Sequence, residues 1–504
     1  MSLPDWLAPL PDAEEQRGLD AWAIEQGIAG LELMERAGAG LAELVEELVP
    51  EGRIAVVCGK GNNGGDGYVV ARLLRERGRD VRVLALAPVD ELRGDARTNA
   101  ERLPGPPPER FGADGLRGAT VIVDAILGTG FEGEPREPAA GALEAINAAE
   151  AIVVACDVPS GVNASTGEVS GVAVRADATG TFNAAKPGLW IAPGKDHAGE
   201  IHVVDIGIPP GGPSRPSIGL ISDHVTGGIP RRGRESTKFA AGSVLVCGGS
   251  IGLTGAPCMA AEAAMRAGAG YVTAFVPASL NLIFELRLLE VMTVPLPDAD
   301  GALTAEGVGT VLERTERSGA LVLGPGLSRQ PGAFELAHTL AGQAELPVLI
   351  DADGLNAHAG KLGRLARRPA ATVLTPHAGE LARLLEVDSH AVAARRLEHV
   401  RRAAAESGAI VVLKGDDTIV ASPEGQAAVN RGGAAALATA GTGDVLSGVI
   451  GAYLAKGMDP FHAACAGVFV HASAGRLAAQ RIGSEGVIAR DVIEALPAAL
   501  PANE

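Results

Sequence analysis

The residues of this sequence best able to do chemistry are aspartates that stand beside glycines. Asp444 ends the segment GTGD at 441–444 and directly precedes VLSGVIGAYLA, which is typical of a buried helix. Backbone N–H groups at such a helix start bind anions. An acid beside a phosphate is costly unless it takes a proton from an attacking hydroxyl, so we predict that Asp444 is a general base. The alternative is a plain acid at a helix N-terminus.

A second glycine-rich segment, GNNGGDG at 61–67, predicts a phosphate site of a different type. It follows the β-branched run RIAVVC at 53–58 and precedes YVVARLLRER at 68–77, which has helical spacing. This order indicates a strand, a glycine loop and a helix start, where glycine lets the backbone approach a ligand. Gly59, Gly61 and Gly64 also match G-x-G-x-x-G, but the tip of the next strand lacks the acid that a dinucleotide fold places there. A tight structural turn is the alternative.

Two further aspartates, Asp124 and Asp157, lie at the ends of apolar runs, TVIVDA at 120–125 and AIVVACD at 151–157. In an open α/β sheet, ligands bind at the carboxyl ends of the strands. Acids that converge there need a cation or a polar substrate to offset their repulsion. Taken singly, either aspartate could instead cap a turn or a helix.

Four motifs of the first half together resemble the NAD(P)H-hydrate epimerase domain. They are LMERAG at 33–38, GNNGGDG at 61–67, DAILGTG at 124–130 and DVPSG at 157–161, and the resemblance covers about residues 15–210. It implies a Rossmann-like α/β fold, a three-layer sandwich, that interconverts the R and S forms of hydrated NADH and NADPH.

The same resemblance implies roles for individual residues. Asn63, Asp124 and Ser160 would hold a potassium ion, for which amide, carboxylate and hydroxyl oxygens are suitable hard ligands. Asp157 would contact the hydrate and is the first candidate for the acid/base of epimerisation. The other residues expected to contact the hydrate or its nucleotide are Asn62, Asn63, Gly64, Gly65, Asp66, Gly128, Thr129, Gly130, Phe131, Glu132, Gly133 and Glu134.

A segment rich in proline and glycine, PPGGPSRPS at 209–217, has the composition of a linker and divides the chain. Beyond it, strand-like runs alternate with alanine-rich helical stretches, which predicts a second α/β domain with a largely parallel sheet. We therefore predict domains at 1–212 and 213–504. In the second, VVLKG at 411–415 places Lys414 at a strand end, where it could meet a nucleotide phosphate.

Motifs of the second half resemble the ribokinase-like fold and, more narrowly, the NAD(P)H-hydrate dehydratase domain, over about residues 225–500. They are GPGL at 324–327, DADGLN at 351–356, TPHAGE at 375–380, VVLKG at 411–415 and AGTGD at 440–444. GTGD alone would leave sugar, vitamin and pyrimidine kinases open. The resemblance implies that the hydrate is met by Ala256, Gly326, His377 and Asp444. It implies that the adenine nucleotide is held by Lys414, Gly415, Asp416, Asp417, Thr418 and Gly443.

Both domains in one chain is the arrangement of the bacterial bifunctional NAD(P)H-hydrate repair enzymes. The resemblance implies that the second domain dehydrates the S form to NAD(P)H at the expense of ADP, with Mg²⁺, and that the first domain supplies the S form from the R form. A small-molecule kinase with a non-catalytic nucleotide-binding first domain remains an alternative. A sensor or scaffold role for the first half is another alternative. The choice between ADP and ATP as the donor stays open, and so does the route of epimerisation, which is either ring opening or loss and return of water.

Composition limits the partners of this 504-residue chain. A net charge of −18 argues against nucleic-acid binding. The five cysteines show no metal-binding spacing, which favours free core thiols in a reducing cytoplasm. The N-terminus lacks the basic and apolar regions of a signal peptide, and the uncharged stretch 243–261 is too rich in glycine and proline for a good membrane span. We expect small-molecule partners, no nucleic acid, no membrane and a homo-oligomer.

Overall fold

The computed structural model describes residues 3–233, 237–238 and 241–500. Contacts between its residues divide the chain into two compact units. The first holds Pro9–Ile218, and the second holds Pro4–Ala8 together with the residues from Gly219 onward. The domain boundary that we placed between 212 and 213 stays a prediction, and the contact division falls between 218 and 219.

The first 218 residues begin with a strand and then alternate strands with helices. The strands are β1 (Leu7–Pro9), β2 (Arg53–Cys58), β3 (Val81–Ala85), β4 (Glu109–Arg110), β5 (Ala119–Ala125), β6 (Ile152–Cys156), β7 (Ala178–Phe182) and β8 (Glu200–Val204). The helices are α1 (Ala13–Glu25), α2 (Gly30–Leu48), α3 (Asn62–Glu76), α4 (Gly94–Glu101), α5 (Ala139–Asn147) and α6 (Lys195–Ala198).

The first unit is a three-layer sandwich around a parallel sheet with the order β4-β3-β2-β5-β6-β7-β8. Strand β2 shows that both faces of the sheet are covered, because its β-branched residues are buried on both sides. Ile54 and Val56 pack in one core cluster with residues of α2 and α3. Ala55 and Val57 pack in the other with residues of α5. This confirms the predicted Rossmann-like α/β fold.

The second unit continues the alternation. Its strands are β9 (Ile218–Ile221), β10 (Ser243–Cys247), β11 (Tyr271–Pro277), β12 (Met292–Leu296), β13 (Asp298–Ala299), β14 (Ala302–Leu303), β15 (Ala320–Leu323), β16 (Val348–Ile350), β17 (Thr372–Leu374), β18 (Ile410–Leu413), β19 (Ile419–Ala421) and β20 (Ala427–Val429). Its helices are α7 (Gly255–Arg266), α8 (Asn281–Arg287), α9 (Val308–Thr315), α10 (Pro331–Gln343), α11 (Asp353–Ala357), α12 (Ala378–Leu385), α13 (Ser389–Ala394), α14 (Arg396–Ser407), α15 (Thr442–Ala455), α16 (Pro460–Ile482) and α17 (Ala489–Ala499).

Its main sheet has the order β1-β9-β20-β19-β18-β17-β16-β15-β10-β11-β12. The run from β12 to β18 is parallel, and β18, β19 and β20 pair antiparallel. This confirms the predicted second α/β domain. The carboxyl ends of β16, β17 and β18 therefore meet at one edge, where the polar loops after them lie close together. No helix in the described ranges is long and apolar enough to cross a membrane.

Both glycine-rich segments differ from their predicted form, because each is the start of a helix rather than a loop before one. Helix α3 begins at Asn62, six residues ahead of the predicted start, and α15 begins at Thr442. Glycine is needed in α3 for close packing. A Cβ on Gly64 would lie 2.1 Å from the Gly59 carbonyl oxygen, and one on Gly67 would lie 2.6 Å from Ala125 Cβ.

Candidate active sites

The carboxyl edge of the first sheet opens into a cavity of about 1100 Å³. The predicted residues that line it are Asn62, Asn63, Asp66, Gly128, Thr129, Gly130, Phe131, Glu132, Gly133, Glu134 and Asp157. Gly64 and Gly65 are not among the lining residues, because they face the packed side of α3. Asp124 and Ser160 lie fully buried beneath the cavity.

The three predicted potassium ligands converge on the loop after β5. Ser160 Oγ donates to Asp124 Oδ1 at 2.6 Å, and the Ser160 N–H donates to Asp124 Oδ2 at 2.8 Å. Asn63 Nδ2 donates to the Leu127 carbonyl at 3.1 Å, while the Leu127 N–H donates to Ser160 Oγ at 2.8 Å. Burial raises the pKa of Asp124 to about 6, and the two bonds from Ser160 oppose that rise. A cation beside this carboxylate would offset its buried charge.

Asp157, the predicted acid/base, is held by a lysine that no motif of the sequence distinguishes. Lys186 is fully buried, and its Nζ lies 2.5 Å from Asp157 Oδ1. The same oxygen accepts bonds from Thr181 Oγ1 and the Phe182 N–H, both at 3.1 Å. Asp157 adopts a left-handed backbone conformation, with φ of 65°. Such strain in a non-glycine residue recurs where side chains are positioned for function.

Two more carboxyls face the first cavity. Asp66 is buried in the second turn of α3, and burial together with Asp157 and Asp20 raises its pKa well above the usual range. Asp20 projects from α1, and burial also raises its pKa, although its bond from Gln16 Nε2 at 2.9 Å opposes that rise. Asp66 was predicted as a contact residue only, and Asp20 was missed because a polar helix face carries no sign of what it packs against.

In the second unit, Asp444 lies in the first turn of α15 beside an ion pair. Lys414 Nζ is 2.9 Å from Asp351 Oδ1 and 3.8 Å from Glu380 Oε2. Ser447, one turn beyond Asp444, donates to Asp351 Oδ2 at 2.7 Å. Burial and the neighbouring Asp351 raise the pKa of Asp444 to about 7, and Lys414 opposes that rise. A carboxyl with this pKa can accept a proton near neutrality.

His377 has a structural role as the N-cap of α12. Its Nδ1 accepts the N–H groups of Gly379 at 3.0 Å and Glu380 at 3.3 Å, and the His377 backbone N–H donates to Glu380 Oε2 at 2.9 Å. Burial lowers the pKa of His377, so the ring favours its neutral form. The ring remains exposed, and its Nε2 lies 3.6 Å from Glu380 Oε1. The contact between His377 and the hydrate stays a prediction.

The predicted nucleotide segment 414–418 is a tight turn after β18, in which Thr418 Oγ1 donates to the Gly415 carbonyl at 2.6 Å. The residues of this segment differ in whether their side chains are already bound within the protein. Asp417 is buried in an ion pair with Arg396, at 2.9 Å between Oδ2 and Nε, which indicates a structural role. Asp416 Oδ1 accepts the Gly433 N–H at 3.0 Å. Gly443 lies against Lys414, whose Nζ is 3.4 Å from the position that a Cβ on Gly443 would take.

Ala256 and Gly326, both predicted to meet the hydrate, lie together. A Cβ on Gly326 would be 3.3 Å from Ala256 Cβ, and Ser250 Oγ fixes the Gly326 carbonyl at 2.9 Å. Met259, one turn after Ala256 in α7, lies against Gly441, so α7 connects this pair with the start of α15. In the described residues, no group of three or more His, Cys, Asp or Glu side chains is arranged to hold a metal ion.

Comparison with known proteins identifies the families that the two units resemble. A family model described as NAD(P)H-hydrate dehydratase matches residues 244–498, and one described as YjeF-related protein N-terminus matches residues 30–188. A solved ADP/ATP-dependent NAD(P)H-hydrate dehydratase from Bacillus subtilis, co-crystallised with ATP and Mg²⁺, is 28% identical. The match covers 55% of this chain and 95% of that chain, with a TM-score of 0.48.

Relatives that span nearly the whole chain carry both units. The bifunctional NAD(P)H-hydrate repair enzyme Nnr of Moorella thermoacetica is 40% identical over 97% of this chain and 96% of its own length. The enzyme of the same description from Escherichia coli is 34% identical over 95% of this chain and 92% of its own length. The chain belongs to the family of bifunctional NAD(P)H-hydrate repair enzymes.

Proposed function

We propose that the two units repair hydrated NADH and NADPH in sequence. The first unit interconverts the R and S hydrates in its 1100 Å³ cavity. The second removes water from the S form at the expense of ADP, giving NAD(P)H, AMP and phosphate. The observation that carries this proposal is the position of the Asp444 carboxyl, in the first turn of α15 and beside the ion pair of Lys414 and Asp351.

The dehydration needs phosphoryl transfer because hydroxide is a poor leaving group. Asp444 takes the proton of the hydroxyl on C6 of the hydrated ring while that oxygen attacks the terminal phosphorus of ADP, and AMP leaves. The N–H groups at the start of α15 and the Lys414 ammonium stabilise the charge on the transferred phosphoryl group. Phosphate then departs from C6 as the ring nitrogen supplies its electron pair, and loss of a proton from C5 restores the double bond.

Two cations fit these sites. Asn63, Asp124 and Ser160 present hard oxygen atoms around one buried carboxylate, which suits a potassium ion that fixes the floor of the first cavity. Magnesium keeps several waters and binds phosphate oxygens, so it would enter the second unit with ADP. We also propose a cytoplasmic location, since all five cysteines are buried free thiols. A homo-oligomer stays our expectation.

The deciding experiment incubates a mixture of R- and S-NADHX with the protein and either ADP or ATP, and follows the absorbance of reduced nicotinamide. We expect NADH to form only with nucleotide, with one AMP and one phosphate released for each NADH when ADP is the donor. Recovery of more than the S fraction shows that the first unit is active. A stable phosphorylated product in place of NADH would support the small-molecule kinase instead.

A further inference from the structure

Lys186 is a buried lysine whose three N–H groups are all used inside the epimerase cavity wall. Nζ donates to Asp157 Oδ1 at 2.5 Å, to the Phe182 carbonyl at 2.9 Å and to Thr181 Oγ1 at 3.0 Å. A fully buried ammonium is tolerated only when it is paired in this way. Its contribution is therefore fixed, since it has no N–H group left to offer a substrate.

The bonds to Asp157 leave one of its oxygens available. In the described part of the chain, the bonds from Lys186, Thr181 and Phe182 all reach Oδ1, and none reaches Oδ2. Asp157 lines the cavity, so a carboxylate held at one oxygen presents the other to a ligand. This is the arrangement required of an oriented base.

Asp66 has the opposite surroundings. It lines the same cavity, and no hydrogen bond or ion pair of its side chain is found among the described residues. The charged groups that face it are Asp20 from α1, Asp157 after β6 and Lys186 after β7, and the thiol of Cys156 lies behind it. Three carboxyls thus share one ammonium. Burial and repulsion favour the neutral acid at Asp66, which supports a role as proton donor.

We propose that Lys186 is the positioning residue that holds Asp157 by one oxygen and aims the other at the substrate, and that Asp66 is the partner acid of epimerisation. This inference rests on the proposed epimerase function of the first unit. It assigns the two carboxyls the opposite roles of base and acid in one cavity.

The pair satisfies the proton balance of either route at C6. In ring opening, Asp157 takes the hydroxyl proton, the O–H electron pair forms the aldehyde C=O, the C6–N1 bond breaks and Asp66 protonates N1. Ring closure on the other face reverses each transfer. In loss and return of water, Asp66 protonates the departing hydroxyl, the N1 electron pair forms the iminium, and Asp157 takes a proton from the returning water. Exchange with solvent then restores both groups.

The test measures R/S interconversion by the full-length chain across pH. Lys186→Met should lower kcat about a hundredfold at neutral pH with a much smaller change in KM. Because this variant removes a positive charge from the cavity wall, the acidic limb of the profile should move to higher pH and activity should recover there. Lys186→Arg should restore the position of that limb. Equal loss at every pH, or no loss, would overturn the role of Lys186.

Two substitutions, Asp66→Asn and Asp66→Glu, test the role of Asp66 as proton donor. Asp66→Asn should lower kcat by a similar factor and remove the alkaline limb, which reports ionisation of the donor. Asp66→Glu should keep that limb at a reduced rate. An unchanged alkaline limb in Asp66→Asn would exclude Asp66 as the donor.

Two controls separate this inference from the proposed function. Lys60→Met removes a lysine from the exposed rim of the same cavity and should leave the acidic limb in place. Dehydration of pure S-NADHX with ADP should be unchanged in every variant, which reports that the chain is folded. If the unaltered protein fails to interconvert the hydrates, the epimerase function itself is wrong. If the unaltered protein interconverts the hydrates and Lys186→Met shows the same pH profile as the unaltered protein, only the inference fails.

Discussion

Lys414 forms its hydrogen bond with Asp351, at 2.9 Å, and in the described part of the chain it forms none with Asp444. The Lys414 ammonium opposes the rise in the pKa of Asp444 that burial causes, but it does not occupy the oxygens of Asp444. This division leaves Asp351 to hold the lysine and Asp444 to accept a substrate proton. It also makes the roles of the two aspartates separable by mutation.

We predict that Asp444→Asn abolishes recovery of NADH from S-NADHX. Loss of the general base should lower the rate by about a hundredfold to ten-thousandfold. Interconversion of the R and S forms should be intact, because Asp444 lies in the other unit. Glu398→Gln, which removes an exposed acid from the same unit, is the matched control. Near-normal recovery by Asp444→Asn would remove this residue from the mechanism.

The pH dependence of dehydration should report Asp444. Its pKa is raised to about 7, and the ionised form is the active one, so kcat/KM should fall as pH decreases through that value. Lys414→Met removes the cation that opposes the rise, so the limb should move to higher pH. The measurement is the initial rate of NADH formation at low substrate. A limb that stays in place in Lys414→Met would show that another group titrates.

Epimerisation should depend on potassium through Asn63, Asp124 and Ser160. Replacing potassium with a bulky organic cation should slow interconversion, because the buried Asp124 carboxylate would lose its counter-charge. Asp124→Ala should remove this dependence together with most of the activity. Dehydration of S-NADHX in the same samples is the control for folding. A rate of interconversion indifferent to monovalent cations would make these residues structural caps.

The sequence predicts the central strands well because their composition is unambiguous. The apolar, β-branched runs at 53–58 and directly before Lys414 form β2 and β18 as expected. The start of α3 was wrong because glycine is a poor helix former, and only the packed structure shows that close approach to Gly59 and Ala125 requires it. Strand β7 was missed because its threonines look polar, whereas Thr179 is buried with its hydroxyl bonded to the Ala198 carbonyl at 2.6 Å.

In the two candidate active sites too, the sequence identifies residues with a local pattern and misses those that only the fold brings together. Asp124, Asp157 and Asp444 could be predicted, because an acid at a strand end or helix start has a local signature. Lys186 could not, since it stands 29 residues beyond Asp157 and nothing local marks it as buried. Asp351 and Glu380 were within recognised motifs, but their pairing with Lys414 depends on three strands that meet only in the folded sheet.

The N-terminal strand bears on whether the two halves can be separated. Division of the chain at the proline- and glycine-rich segment 209–217 gives fragments 1–212 and 218–504, and we predict that each keeps its activity. However, Pro4–Ala8 belongs to the second unit, where β1 neighbours β9. The Trp6 carbonyl accepts the N–H and Oγ of Ser222 at 3.0 and 2.8 Å. Its buried ring stacks on His462, with 4.7 Å between centroids and 15° between planes.

We therefore predict that fragment 218–504 is active but less stable than the second unit of the intact chain. In the intact chain, Trp6→Ala should lower the free energy of unfolding of the second unit by about 3 kcal/mol, the lower end for a buried tryptophan. Trp22→Ala, which removes a half-buried tryptophan from the first unit, should leave that transition in place. Adding a peptide that spans residues 3–11 should stabilise the fragment if the strand binds as it does in the chain.

Activity of the mixed fragments completes the test. Fragment 218–504 with ADP should dehydrate S-NADHX, and adding fragment 1–212 should recover NADH beyond the S fraction of a racemate, because the R form is then converted. Equal stability of fragment and intact unit, with no effect of Trp6→Ala, would show that the first strand contributes nothing. Two folded fragments that leave the R form untouched would instead overturn the epimerase assignment and make the first unit a binding module.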